Sequence, residues 1–325
     1  MLLHHALIYR DDFAFHRCSL AVAGERFAAD SGEGPVVDLN GKMVIPGLID
    51  IHLHGNSGAD FCDGSREGLR RIASYLLANG ITAFSPASMT LPEDRLRQAM
   101  ATAAAFRREK PASAARLCGV TLEGPFFNAA RKGAQNAAYL KPPDLPLFRR
   151  LNQAADNLIR IACVAPELPG ALDFIRQAAS VCTVSLAHTS ANYGEATAAF
   201  AAGARHVTHL YNAMPPLAHR EPGVIGAAAD HPQVTAELIA DGIHIHPSVI
   251  RATFRLFGAD RLVLVSDSMA ACGMPDGQYE LGGQRVQVGG ADVEFDAAGG
   301  VGVGIPGKIV IDHRGRGIES QIQRL

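Results

Sequence analysis

No tract of this 325-residue chain approaches the roughly 20 consecutive apolar residues that span a bilayer, so a membrane helix is not expected. There is no basic excess either. Lys and Arg total 30 against 32 Asp and Glu, a formal charge of −2, which argues against nucleic acid or a membrane surface as partner. The start, Met1-Leu2-Leu3-His4-His5-Ala6, lacks the basic region that precedes the apolar part of a signal peptide. The six cysteines (Cys18, Cys62, Cys118, Cys163, Cys182 and Cys272) contain no CxxC spacing, and several lie in apolar strand-like runs. They read as reduced thiols of a cytoplasmic protein rather than as a disulfide framework. No GxGxxG turn follows any apolar run, which disfavours an open doubly wound sheet.

What is present is a repeat of apolar strand and helix. With 48% of its residues hydrophobic, the chain can build one large barrel or two ordinary domains. The strand candidates are 44–54, 82–89, 117–123, 159–167, 182–188, 206–212, 234–241 and 262–268. Ala/Leu/Arg-rich helical stretches such as 65–79, 92–109, 169–180 and 193–202 separate most of them. This order predicts an α/β fold, a (β/α)8 TIM-like barrel over 44–274. Residues 1–43 read as short strands and turns. Beyond 275 the chain is Gly-rich with short alternating runs, so 1–43 and 275–325 together predict a small β-sandwich domain. The C-terminal part is atypical, with Gly299–Gly304 and no convincing helix after strand eight.

The most informative segment is Ile49-Asp50-Ile51-His52-Leu53-His54-Gly55. Strand side chains alternate faces, so His52 and His54 point the same way from one strand end. Two packed histidines satisfied by carbonyls would give the same pattern, but further ligand types recur at other strand ends. Strand three ends with Glu123, strand five with His188, and strand six carries His209. Strand seven leads to Asp241 and His244, and strand eight ends with Asp267. In such barrels the catalytic groups come from the C-terminal ends of several strands. Ionisable groups gathered there are costly without metal or mutual hydrogen bonds. His, Glu and Asp suit a divalent metal, one or two ions per chain, with Zn first and Fe, Mn or Co as alternatives. Such a cation acidifies its bound water, and a further carboxylate must move the proton. Asp267 fits that task; its other reading is a partner that orients a ligand histidine.

At these residues the chain resembles the amidohydrolase superfamily, and within it the N-acetylglucosamine-6-phosphate deacetylase branch. The motifs are PGLIDIHLHG (46–55), LEGPF (122–126), KGA (132–134), APE (165–167), AHTSANY (187–193), HLYNAM (209–214), REPGVIG (220–226), ADGIHIHP (240–247) and SDSMAA (266–271). The resemblance implies that Glu123, His188 and His209 hold the principal metal and that His52 and His54 contribute a second site. Asp267 becomes the general base and acid. Asn212 and the backbone N–H of Ala213 meet the substrate's phosphate, as does Arg220, reaching across from the neighbouring subunit of a homodimer. His244 hydrogen-bonds the sugar. The implied reaction is hydrolysis of N-acetyl-D-glucosamine 6-phosphate to glucosamine 6-phosphate and acetate.

Two departures from the resemblance bear on that expectation. Gln135 stands where the branch normally has a histidine that helps polarise the scissile carbonyl; an amide can still donate a hydrogen bond but carries no charge. The run after strand eight is replaced by the Gly-rich stretch, as in a shortened or frame-shifted tail, which predicts a missing last helix and exposed apolar surface. The alternatives are therefore a deacetylase for another hexosamine phosphate, such as N-acetylgalactosamine 6-phosphate, and an inactive homologue that only binds metal or sugar phosphate.

Overall fold

Apolar runs punctuated by Gly, Pro and Asn become strands, and the Ala/Leu-rich stretches between them become helices. The computed structural model describes residues 1–29, 34–289 and 292–295. The chain divides into two units, Met1–Leu48 and Ile49–Leu325. In the first unit Leu2–Tyr9 is the central strand. It pairs antiparallel with Phe15–Ala23 and parallel with Val36–Asp38 and Met43–Val44, while Arg26–Ala28 extends the sheet beyond Phe15–Ala23. The register slips between Leu3 and Ala6, where His5 adopts φ +52°, a bulge in the central strand.

The second unit holds the barrel. Leu48–Asp50, Ile81–Phe84 and Arg116–Leu117 form its first group of neighbouring strands. The third strand breaks at Cys118-Gly119 and resumes as Val120–Leu122. From there Ile159–Val164, Thr183–Leu186, His206–Val207, Thr235–Ile239 and Leu262–Val265 follow, each parallel to the last. A parallel bridge between Ala87 and Thr121 joins the two groups. The ring closes where Asp267 N–H donates to the His52 carbonyl at 2.9 Å and His54 N–H to the Ser268 carbonyl at 2.7 Å. Val184, Leu186, Val207, Ala236 and Leu238 are fully buried, as expected of a parallel sheet covered by helices.

The helices start and stop on local signals. Ser65 accepts a hydrogen bond from Gly68 N–H to open Arg66–Ala78, whose Leu69, Ile72, Ala73 and Leu76 form one buried stripe at helical spacing. Asn192 and Glu195 form a capping box at the start of Tyr193–Ala202, which ends at Gly203. Pro247 opens Pro247–Phe257 at a position where no N–H is needed, and Gly258 ends it. Successive helices touch from Arg66–Ala78 round to Gly223–Asp230, forming the outer layer.

Two sequence expectations need correction. The strand expected over 44–54 is two: Met43–Val44 joins the N-terminal sheet, and the barrel strand is Leu48–Asp50. Pro46 and Gly47 stand between them, where Pro46 has no N–H to continue a ladder. The strands expected over 182–188, 206–212 and 262–268 end at Leu186, Val207 and Val265. Their last residues leave the ladder because His188, His209 and Asp267 take φ values of +45°, +29° and +48°. The sandwich expected from 1–43 and 275–325 is described only in part. Gly277–Leu281, Gln284–Gly289 and Asp292–Phe295 make an antiparallel meander that belongs to the second unit, and residues 296–325 lie outside the described residues. Among the described residues no helix follows strand eight, and the expectation for the tail falls on residues outside them.

Candidate active site

Six of the side chains singled out in the sequence converge where the barrel strands end. Glu123 is the hub. Its Oε1 lies 2.9 Å from His188 Nε2 and 3.1 Å from His209 Nε2. Its Oε2 lies 3.2 Å from His54 Nε2 and 3.6 Å from His52 Nε2. Asp267 Oδ1 approaches the same two imidazoles, at 3.2 Å from His54 and 3.6 Å from His52. One carboxylate thus spans two histidine pairs, and a second faces the first-strand pair from strand eight. Asp267 is the most open of the six, with its side chain 20% exposed, while His52 and Glu123 are almost fully enclosed.

The left-handed backbone at His188, His209 and Asp267 turns these side chains inward, off the direction that the strands would give them. Non-glycine residues held there cost about 1–3 kcal/mol each, and such strain collects at functional sites. The surroundings hold the strained loops in place. Glu167, the acid of the APE motif, accepts from Asn128 Nδ2 at 2.8 Å and Ser190 N–H at 2.6 Å through Oε1, and from the Thr189 hydroxyl through Oε2 at 2.5 Å. His188 Nδ1 lies 2.9 Å from the Arg131 carbonyl, so that nitrogen carries its proton and Nε2 faces Glu123. His54 Nδ1 is fixed in the same way by the Ala87 carbonyl at 3.2 Å.

Electrostatics agrees with a cation site. Burial alone would raise the Glu123 carboxyl, but the His52 charge and hydrogen bonds from His188 and His209 hold it well below the usual range. Burial also works against ionised Asp267, and the charges of His52 and His54 outweigh it, so Asp267 stays ionised. Conversely, burial would lower His54, yet Asp267 and Glu123 push it up to about 10. The negative charge that retains protons on the histidine pair would equally retain a divalent cation. Among the described residues, His52 Nε2, Glu123 Oε2 and His209 Nδ1 are buried without a hydrogen-bond partner. The ligand atoms of His52, His54 and Asp267 lie within 4.8 Å of one another, as do those of His52, Glu123 and His209. Nitrogen and oxygen donors so arranged fit a first-row divalent ion.

The other expected residues sit around this cluster. His244 bonds Asp241 through Nδ1 at 2.7 Å, and that pairing, with Asp267 at longer range, holds its pKa up against burial. Asn212 and Ala213 stand in the turn after His209, beyond Leu210 and Tyr211. Asn212 Nδ2 donates to the His209 carbonyl at 3.2 Å, and the Ala213 carbonyl accepts from Thr189 N–H at 3.0 Å. Gln135 is buried and engaged elsewhere: its Oε1 accepts from Thr90 N–H at 2.7 Å, and its Nε2 faces the Met89 sulfur at 3.7 Å. Arg220 is exposed on a loop, with its guanidinium donating to His219 Nε2 at 2.7 Å.

Three buried groups went unnoticed in the sequence. Glu237, within strand seven, accepts from His52 Nδ1, His206 Nε2 and His209 N–H. His206 begins strand six and points its other nitrogen at the Thr235 hydroxyl, 2.6 Å away. Asp50 accepts from the Ser266 hydroxyl and His52 N–H, tying strand one to strand eight, and burial pushes it up to about 6. The available signal was a lone acid inside an apolar run, Thr235-Ala-Glu-Leu-Ile239 or Leu48-Ile-Asp50, since a carboxylate there must find donors.

A parallel barrel with metal-ligand side chains at its strand ends defines a metal-hydrolase class, and the comparison with known proteins agrees. Residues 43–276 match the Amidohydrolase family, and the chain belongs to that family. Its relatives include particular deacetylases. The N-acetylglucosamine-6-phosphate deacetylase of Bacillus subtilis (strain 168) is 42% identical over 252 residues, covering 77% of this chain and 64% of that protein. That of Vibrio furnissii is 39% identical over 266 residues, covering 82% of this chain and 65% of that protein. The N-acetylgalactosamine-6-phosphate deacetylase of Escherichia coli O157:H7 is 34% identical over 265 residues, covering 81% and 70%. Among solved structures, the N-acetyl-D-glucosamine-6-phosphate deacetylase of Mycobacterium smegmatis superposes with a TM-score of 0.85 at 31% identity, covering 94% of this chain and 81% of that one. The chain therefore spans about two thirds of the length of the Bacillus and Vibrio proteins.

Proposed function

We propose that the protein is a metal-dependent deacetylase. It hydrolyses the acetamide of N-acetyl-D-glucosamine 6-phosphate to glucosamine 6-phosphate and acetate. The observation that carries the reading is Glu123, whose two oxygens face His188 with His209 and His54 with His52. The similarity to deacetylases of amino-sugar phosphates supplies the substrate class. Glu123, His188 and His209 would hold the principal ion, and His52 and His54, beside Asp267, a second one. Zinc is the first choice, with iron, manganese and cobalt as alternatives. When bound, such an ion acidifies water and polarises the acetyl carbonyl.

The residues of the chain supply the rest. Asp267, ionised and the most accessible carboxylate of the cluster, takes the proton that the attacking water loses and delivers it to the amine nitrogen as the C–N bond breaks. His244, fixed by Asp241, donates to the sugar. Asn212 and the Ala213 N–H bind the phosphate from the turn after His209. Arg220 completes that phosphate site from the second subunit of a homodimer, a role that suits its exposed loop over residues 216–221. Gln135, at the motif position expected on the acetyl side, is instead tied to Thr90 and Met89 and is given no part in the reaction. Six cysteines outside any disulfide fit a cytoplasmic enzyme.

The Escherichia relative and Gln135 together favour one second reading, turnover of the galactosamine epimer. Acetate release by metal-loaded protein, with kcat/KM measured side by side on both epimers, tests the proposal. Preference for the glucosamine substrate is expected. Folded protein that releases no acetate with zinc, iron, manganese or cobalt would leave a binding protein without turnover.

A further inference from the structure

Glu237 lies in the middle of strand seven between Ala236 and Leu238, with no exposure to solvent. A carboxylate buried there is costly, and an apolar residue of similar size would suit the strand better. Its oxygens are nevertheless fully used. Oε2 lies 2.9 Å from His52 Nδ1 and 3.1 Å from the backbone nitrogen of His209. Oε1 lies 3.2 Å from His206 Nε2, whose ring is held from the far side by the Thr235 hydroxyl at 2.6 Å. The acceptor of two bonds is therefore a single oxygen, and its two donors belong to different halves of the cluster.

We propose that Glu237 is a positioning residue that holds both ion sites through one oxygen. On the His52 side it accepts the Nδ1 proton, which turns Nε2 toward Glu123 and Asp267 as the ligand atom. On the His209 side it anchors the N–H of a residue at φ +29°, fixing the strained turn that presents His209 Nε2 to Glu123. Carboxylates that accept the outer N–H of a ligand histidine set its orientation and basicity, and losing one costs about 10- to 100-fold in metal affinity. Here one substitution should weaken both sites at once. The inference rests on the metal-centre reading above.

The test titrates zinc into the metal-stripped full chain by calorimetry and counts bound zinc in wild type, Glu237→Gln and Glu237→Leu. In the Gln variant the amide oxygen can take the place of Oε2 and accept from both His52 and His209. Its NH2 then faces His206 Nε2, which can accept after a change of tautomer. That variant should keep the wild-type stoichiometry with an affinity loss below about 10-fold, whereas Leu should lose about 10- to 100-fold and the His52/His54-side ion. A folded Leu variant with wild-type stoichiometry and affinity overturns the inference and leaves the metal-centre reading intact. Wild type that takes up no zinc overturns both. If the Leu variant does not fold, imidazole nitrogen spectra of zinc-loaded wild type and Gln variant decide. A proton on His52 Nδ1, protected from exchange in both, is expected, and an unprotonated Nδ1 overturns the inference.

Discussion

Substituting Asp267 by Asn isolates the charge of this residue from its shape. Asp267 adopts φ +48°, a region that Asn tolerates better than most residues, so the backbone is not asked to move. Its N–H bond to the His52 carbonyl, 2.9 Å long, is a main-chain contact and survives the change. The Asn oxygen can still accept from His54, now 3.2 Å from Oδ1. What is lost is the negative charge and the site for a proton. General acid–base catalysis contributes about 10²- to 10⁴-fold, so kcat/KM should fall by that factor, about 3–5 kcal/mol of transition-state stabilisation. Glu123 bonds His188 and His209 directly, without Asp267 between them, so at least one ion should remain. The assay is acetate release beside metal counted per chain, with the melting curve as a control. Activity within 10-fold of wild type would remove Asp267 from proton transfer. Complete loss of metal would make it a ligand of the principal site instead.

Replacing His52 and His54 together by Asn should lower bound metal toward one ion and reduce kcat/KM, read by elemental analysis and acetate release; loss of all metal would displace the principal site from Glu123, His188 and His209. Gln135→Ala removes the acceptor of Thr90 N–H, a 2.7 Å bond inside the fold, and should destabilise the protein by about 1–3 kcal/mol in urea unfolding. Asp60 is buried, and burial, reinforced by Asp63 and Glu280, pushes its carboxyl from 3.8 to about 7 against the opposing charge of His54. The folded state therefore keeps this proton where the unfolded state has released it. The resulting stability is complete below the unfolded value and is lost as pH rises through about 7. Between about pH 5 and pH 8 wild type should lose about 3 kcal/mol relative to Asp60→Asn, measured by urea midpoints at the two pH values.

The sequence alone determined the element types and singled out the candidate ligands. Alternation placed His52 and His54 on one face, and apolar strands ending in Glu123, His188, His209 and Asp267 marked one end of a barrel. These are local signals, readable within windows of a few residues, because side-chain direction follows strand period and caps follow helix ends. Only the tertiary structure decided what those residues touch. The left-handed turns at His188, His209 and Asp267 cut the strands shorter than their apolar runs and re-aimed these side chains. Gln135, aligned by its motif with the acetyl side, spends its carbonyl on Thr90. Glu237 and His52 stand 185 positions apart, and their contact exists only because the barrel closes strand one against strand eight, bringing strand seven within reach of the same interior. A buried acid chooses its partners from whatever ring closure places beside it, and no stretch of chain shorter than the whole barrel encodes that choice.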